Sequence, residues 1–343
     1  MIKAAIVILN WNGKNYLEKF LPSVSKYSDP NISRVIVADN GSSDDSIRWL
    51  ELNYPQVEII RLDKNYGFAL GYIKALELVN TEYYVLLNSD VEVTDNWLEP
   101  LVKMMDEDHL IGACMPKIKS YSNKEFFEYA GAAGGFIDKY GYPFCRGRIL
   151  STIEKDNGQY DKAREVFWAT GACMVIRKSA YIKAGKLDGD FFAHMEEIDL
   201  CWRMKKLGYK IVCNPSSEVF HVGGGTLPNN SPRKIYLNYR NSLYMLYKNL
   251  PSRGLVRIML IRILLDIISS FMFLFTFRFT FFVQVIRAHC SFYKHLPILR
   301  MKRKEQNKAG SNRLTGHILN GSILLPYFLK KQKQFSALNY KNE

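Results

Sequence analysis

The stretch Tyr83-Tyr84-Val85-Leu86-Leu87-Asn88-Ser89-Asp90 decides how this chain is read. A short apolar run of this kind reads as a buried strand. It stops abruptly at an amide, a hydroxyl and a carboxylate. One reading is a solvated turn, with Thr94 or Asp95 capping a helix that starts near Trp97. The other is a sheet edge that presents oxygen donors, Asn88 and Asp90, to a hard cation such as Mg2+ or Mn2+.

The same pattern recurs upstream. Ala4–Leu9 is an apolar run ending in Asn10-Trp11-Asn12-Gly13. Arg34–Ala38 ends in Asp39-Asn40-Gly41-Ser42-Ser43-Asp44. Val57–Leu62 leads to Asp63-Lys64-Asn65-Tyr66-Gly67. Between these strands, Tyr16–Val24, the segment through Ile47 and Leu50, and Phe68–Val79 have helical spacing. Strands alternating with helices of this length predict an α/β fold with a mostly parallel sheet. Ligands of such sheets bind beyond the carboxyl ends of the strands. Asn10–Gly13, Asp39–Asp44 and Asn88–Asp90 should therefore line one crevice.

The chain has 343 residues, of which 48% are apolar, enough to exclude global disorder. Six cysteines show no CxxC pair, and Met1-Ile2-Lys3 leads straight into a strand. The expectation is a cytoplasmic protein with reduced thiols and no cleaved leader. The formal net charge is +14, and its excess lies in the C-terminal part. From Arg233 onward, 20 Lys and Arg face only Asp266, Glu305 and Glu343.

Two further segments carry chemistry. In Asp190-Phe191-Phe192-Ala193-His194-Met195-Glu196-Glu197-Ile198-Asp199, four acids sit beside aromatic rings. On a helix Glu196 and Asp199 share a face, and Glu197 points about 100° away from Glu196. A carboxylate near apolar rings can serve as a general base. The alternative is an acidic first turn favoured by the helix dipole. His221-Val222-Gly223-Gly224-Gly225-Thr226 places a histidine before three glycines, which suits close backbone approach or a moving loop. Asp39 suits hydrogen bonds from a base or ribose, or an Asx-turn. Asn65-Tyr66-Gly67-Phe68-Ala69-Leu70-Gly71 opens a helix whose amides could meet an anion. It is neither a GxGxxG nor a Walker A loop.

Taken in order, Asn10–Gly13, Asp39–Ser42, Asn65–Ala69, Asn88–Asp90, Thr170-Gly171-Ala172, the acidic segment and His221 resemble the family 2 glycosyltransferases of the GT-A fold, especially bacterial rhamnosyltransferase-like members. The resemblance runs from about Lys3 to about Thr226. It implies a Rossmann-like mixed sheet of the nucleotide-diphospho-sugar transferase type. It also implies a nucleotide-sugar site at Asn10, Asn12, Asp39, Asn65, Gly67, Phe68, Asn88, Ser89 and Gly171. Asn88-Ser89-Asp90 stands in the place of the family's Asp-x-Asp motif. Asp90 is then the main ligand of a divalent cation, with His221 second and Asn88 beside them. The base would be Glu197, with Glu196 and Asp199 as neighbouring candidates. The implied reaction is single-displacement, inverting transfer of a hexosyl or rhamnosyl group, with dTDP-rhamnose the donor suggested by the subgroup. The acceptor would be a hydroxyl of a glycan or lipid-linked molecule in cell-surface polysaccharide synthesis.

The domain reading is a catalytic domain over 1–232, a helical membrane-associating segment over 233–300 and a basic tail over 301–343. In Ile258–Ile286 the longest uncharged run, Ile267–Phe277, is 11 residues, short of the roughly 20 that a span needs. An in-plane helix pair at the cytoplasmic face of the inner membrane is expected, with basic flanks on anionic lipid. A hairpin packed on the catalytic domain is the alternative. Nucleic acid is not expected, because the phenylalanines are continuous rather than spaced along a basic groove. Two rivals remain: a nucleotidyltransferase, which would need a basic glycine-rich loop after the first strand, and a non-catalytic sugar-nucleotide-binding protein of the same fold.

Overall fold

The computed structural model describes residues 2–223, 231–309 and 317–338. Gly224, Gly225 and Thr226 of the glycine-rich loop and parts of the basic tail lie outside the described residues. The first half alternates as expected: β1 (Ala4–Asn10), α1 (Lys14–Tyr27), β2 (Ser33–Asn40), α2 (Ser46–Asn53), β3 (Glu58–Leu62), α3 (Gly67–Glu77) and β4 (Tyr83–Asn88). β1 lies between β2 and β4, and β3 flanks β2, all parallel. Their side chains are apolar on both faces because helices cover both sides of a parallel sheet. Ala4–Val7, Ile36–Ala38 and Val85–Leu87 are wholly buried.

The second half makes the sheet mixed. After β5 (Val91–Val93), α4 (Glu99–Glu107) and β6 (Ile111–Ser120), a separate five-stranded sheet begins, with four of its short strands consecutive: β7 (Gly135–Asp138), β8 (Pro143–Cys145), β9 (Arg148–Ile149) and β10 (Thr152–Ile153). β11 (Arg164–Val166) and β12 (Cys173–Arg177) return to the main sheet. α5 (Lys178–Lys183), α6 (Glu196–Lys206) and β13 (Lys210–His221) follow. β12 runs antiparallel between β4 and β6, while β13 is parallel to β6 and antiparallel to β5. The pairing of β5 with β13 places His221 opposite Val91, next to Asp90.

Three long helices close the chain: α7 (Pro232–Asn249), α8 (Leu255–Phe275) and α9 (Phe279–Ala309). The basic run from residue 301 does not leave the fold in its described part. α9 continues through it, and β14 (Ile318–Leu319) pairs with β7. Ile323, Tyr327, Phe335 and Leu338 are buried in the same core. Scattered lysines hide this spacing of apolar residues in the sequence. α7 also packs into the fold rather than beside it, since Leu243, Tyr244, Met245 and Leu246 are fully buried.

Candidate active site

The parallel register brings the polar strand ends into line. Asn10 pairs with Asp39 across β1 and β2, and Leu9 pairs with Asn88 across β1 and β4. With strands about 4.8 Å apart, Asp39 lies roughly 10 Å from the end of β4. Asn10 is wholly buried, and its amide donates to Ser42 Oγ at 3.1 Å and Ser46 Oγ at 3.0 Å. Asn12, at φ 50°, accepts from the Ser43 amide at 2.7 Å and the Asp44 amide at 3.3 Å. These two asparagines tie the end of β1 to the loop after β2. Asp39, nearly buried, accepts from the Ser42 N–H at 3.3 Å, which is the local turn contact foreseen as its alternative.

Asn40, beside Asp39, drew no attention in the sequence. It is buried, donates to Gly67 O at 3.0 Å and accepts from Tyr66 N–H at 3.0 Å. Asn65 accepts from Gly67 N–H at 2.8 Å. Together they shape the entry to α3, where Gly67 has φ 75° and a Cβ would fall 2.5 Å from the Phe192 ring. The expectation that this helix start offers free amides needs correcting. Phe192 O already accepts from Phe68 N–H at 2.7 Å and Ala69 N–H at 3.1 Å. The loop before α6 folds onto α3 and occupies these donors. Phe68 in turn packs against Gly171, where a Cβ would meet its ring at 2.9 Å, and Asn88 N–H donates to Ala172 O at 2.9 Å. A continuous set of contacts thus runs from Asn88 and Ser89 at the end of β4 to the start of α6.

Asp90 and His221 are both buried and in direct contact, with Asp90 Oδ1 3.1 Å from His221 Nε2. On the other side of the ring, Nδ1 lies 3.5 Å from Glu128 Oε2, an ion-pair rather than a hydrogen-bond separation. Burial alone would lower the imidazole pKa, but the carboxylates of Asp90 and Glu128 on either side push it up to about 10. Glu128 was not foreseen. It lies before the glycine- and alanine-rich run Ala130–Gly135, which has no periodicity to tie it to the sheet, and only contact with His221 discloses it. Gly223, at φ 73°, passes so close to Glu128 that a Cβ would lie 2.7 Å from Oε1.

These donors fit a divalent cation. Asp90 Oδ1 and His221 Nε2 are hydrogen-bonded here at 3.1 Å, close to the ~3 Å edge between neighbouring ligands of an octahedral ion with ~2.1 Å bonds, and a cation would have to displace the Nε2 proton that the raised pKa retains. The carboxylate suits Mg2+ or Mn2+, and the imidazole suits softer ions of the first transition row. Among the described residues no group of three or more His, Cys, Asp or Glu has metal-holding geometry. Such a pair would leave most positions to water and the phosphates of a substrate.

The acidic segment sits at the start of α6 behind a distorted loop. Phe192 (φ 65°), His194 (φ 70°) and Met195 (φ 72°) all have left-handed backbones. Ala193 N–H donates to Phe191 O at 2.8 Å. With ψ −61° at Phe192, this closes the rare, strained form of the γ-turn. Each such residue costs about 1–3 kcal/mol and persists only where the surroundings hold it.

Beyond the loop, Glu196 is buried and Glu197 half-buried, and Oε2 of each is shielded with no hydrogen-bond partner among the described residues. Burial raises both pKa values, that of Glu197 to about 7, and the Glu197 charge raises Glu196 further. Asp199 is placed differently. Burial pushes its pKa up, but Lys248 at 3.0 Å and Arg203 at 2.9 Å hold it below the usual range. Asn249 also donates to it at 2.7 Å, so this carboxylate ties α6 to α7.

Residues 5–185, more than half of the chain, match the sequence profile of glycosyl transferase family 2. The chain belongs to this family. Among its curated relatives is the N-acetylglucosaminyl-diphospho-decaprenol L-rhamnosyltransferase of Mycobacterium tuberculosis. The two are 24% identical over 230 residues, 63% of this chain and 75% of that protein. The rhamnosyltransferase WbbL of Escherichia coli is 21% identical over 221 residues, 63% of this chain and 82% of that one. The fold is GT-A. GalNAc-T7, crystallised with UDP, GalNAc and Mn2+, matches with TM-score 0.57 and 17% identity over 74% of this chain, which spans 48% of that protein. The mannosyltransferase PcManGT from Pyrobaculum calidifontis, in complex with GDP-Man and Mn2+, matches with TM-score 0.52 and 11% identity, covering 90% and 84% of the two chains. This family 2 glycosyltransferase therefore has rhamnosyltransferases among its relatives.

Proposed function

We propose that this glycosyltransferase moves a sugar, with inversion, from a nucleotide-diphosphate donor to a hydroxyl of a glycan or lipid-linked acceptor, with dTDP-rhamnose the first donor to test. The observation that carries the reading is the direct Asp90–His221 contact beside the end of β4, with Glu128 on the other side of the ring. The strand ends at Asp39 and Asn88 receive the nucleotide. Asp90 and His221 would hold a divalent cation, which would neutralise the donor diphosphate. Glu197, ionised near neutrality, accepts the proton of the acceptor hydroxyl. The hydroxyl oxygen bonds to the anomeric carbon from the face opposite the diphosphate. The bond to the diphosphate breaks, and its electrons leave with the nucleoside diphosphate. Asp199, already paired with Lys248 and Arg203, serves to anchor α6.

The deciding test is a screen of nucleotide sugars with purified protein, read by nucleoside diphosphate release with and without chelator. Release from one donor that stops in excess EDTA and returns with Mn2+ is expected. Full activity in chelator would remove the cation from the scheme, and no release from any donor with a hydroxyl acceptor would remove the transferase activity.

A membrane surface is the proposed workplace, the cytoplasmic face of the inner membrane. α8 is 21 residues long, and by length and composition alone it could cross a bilayer, with about a fifth of it buried. The structure resolves how its charges are carried. Arg262 and Asp266 pair at 2.9 Å, and Arg262 donates to Tyr140 O at 3.0 Å, so both face inward. The outer face, with Val256, Leu260, Leu264, Ile268, Phe271 and Phe275, is exposed and wholly apolar. Arg257 and Arg278 flank it, exposed, where anionic headgroups would lie. Each such side chain contributes roughly 2 kcal/mol on burial. The Leu264→Asp, Phe271→Asp double variant is therefore expected to lose at least ~100-fold in binding to phosphatidylglycerol vesicles. Unchanged flotation with the vesicles would exclude this face.

A further inference from the structure

Glu196 and Glu197 follow a loop that cannot hold its shape alone. Three of its residues, Phe192, His194 and Met195, are left-handed without being glycine. What holds them is one amide from α7. Asn241, wholly buried, directs Nδ2 at three carbonyls of this loop: Phe191 at 2.9 Å, Ala193 at 2.8 Å and His194 at 2.7 Å. Its own Oδ1 accepts from Arg240 Nε at 2.9 Å, which fixes the amide the right way round. Arg240 Nη2 donates to the carbonyls of Asp190 and Phe191, both at 2.9 Å.

Ion pairs brace the same loop from behind. Lys302 of α9 bonds to Asp188 and Asp190, each at 2.6 Å, and Lys248 of α7 bonds to Asp188. On its far side, the loop's Phe192 carbonyl receives the first amides of α3. The loop is thus the joint between the nucleotide side of the crevice and the start of α6, and the Asn241 amide is its pin.

We propose that Asn241, oriented by Arg240, is a positioning residue for sugar transfer, setting the geometry of the Glu196–Glu197 pair against the crevice without touching substrate itself. This rests on the reading of Glu197 as the base. No other donor within α7 reaches all three carbonyls, and an alanine at 241 would leave them without that donor while leaving the strand ends, Asp90 and His221 in place.

The test compares Asn241→Ala and Arg240→Met in the full-length protein with Ser242→Ala. The last removes a buried hydroxyl that bonds to Asn238 O of its own helix. Transfer is followed by nucleoside diphosphate release and nucleotide binding by calorimetry, both scaled to the binding-competent fraction. A displaced reacting group costs on the order of 100-fold in rate. Asn241→Ala is expected to lose kcat by about that factor, and Arg240→Met by about 10-fold, with nucleotide Kd changed less than about threefold and the pH midpoint of kcat moved. Ser242→Ala should do neither. Wild-type kcat and pH profile in Asn241→Ala, whatever its melting temperature, would overturn the inference. If that variant does not fold, wild-type kcat in Arg240→Met would do the same. An active Glu197→Gln enzyme would instead bring down the underlying reading of the base, so the two failures are separable.

Discussion

Glu197→Gln is expected to lower kcat by about 10²–10⁴-fold, the usual contribution of a positioned general base, while nucleotide binding is retained. The change keeps the shape and removes the proton acceptor. It also removes the pH dependence that the acceptor imposes. Burial lifts the Glu197 pKa to about 7, and only the ionised form takes a proton. Wild-type kcat should therefore be small below pH 6, rise through pH 7 and level off above about pH 8. Glu196 is also pushed up, by burial first and then by the Glu197 charge. Glu196→Gln leaves the proton acceptor at 197 in place, so the plateau of kcat should be kept. If Glu196→Gln is the inactive variant and Glu197→Gln is not, the roles are exchanged.

Asp90→Asn is the second large effect. It keeps the shape of the side chain but withdraws the charge that faces His221 at 3.1 Å. Charge stabilisation by a bound cation amounts to several kcal/mol, so a loss of kcat of roughly 10²–10³-fold is expected. The affinity for nucleoside diphosphate should become insensitive to Mn2+, measured by calorimetry with and without the ion. A nucleotide affinity that still responds to Mn2+ in Asp90→Asn would place the ion elsewhere. His221→Ala is expected to act in the same direction and more weakly, since the carboxylate carries the charge.

The β1–β4 half of the molecule could be read directly from its residues. Ala4–Leu9, Arg34–Ala38 and Tyr83–Leu87 are unbroken apolar runs between helices, and that pattern has few solutions other than adjacent parallel strands. The polar ends then had to align, and Asn10, Asp39 and Asn88 do. The Asp90–His221 contact was a different matter. It depends on β5 pairing with β13, two segments 131 residues apart at the contact, and it entered only through family resemblance. Glu128 and Asn241 were not legible at all. Glu128 lies outside any periodic element. Asn241 sits on a helix whose Arg240, Asn241 and Lys248 look like a solvated face, although Asn241 and Lys248 are buried. The helix start at Gly67 was read as an anion site because nothing local in the sequence reveals that Phe192, 125 positions later, takes its amides.

α9 joins two places that otherwise have nothing in common. Phe279, at its beginning, stands in the exposed apolar patch, and Lys302, 23 residues on, grips Asp188 and Asp190. At 1.5 Å per residue this is a strut of roughly 35 Å, interrupted only by Pro297. If the patch is immersed in lipid, the strut caps how high above the bilayer the reacting groups can stand.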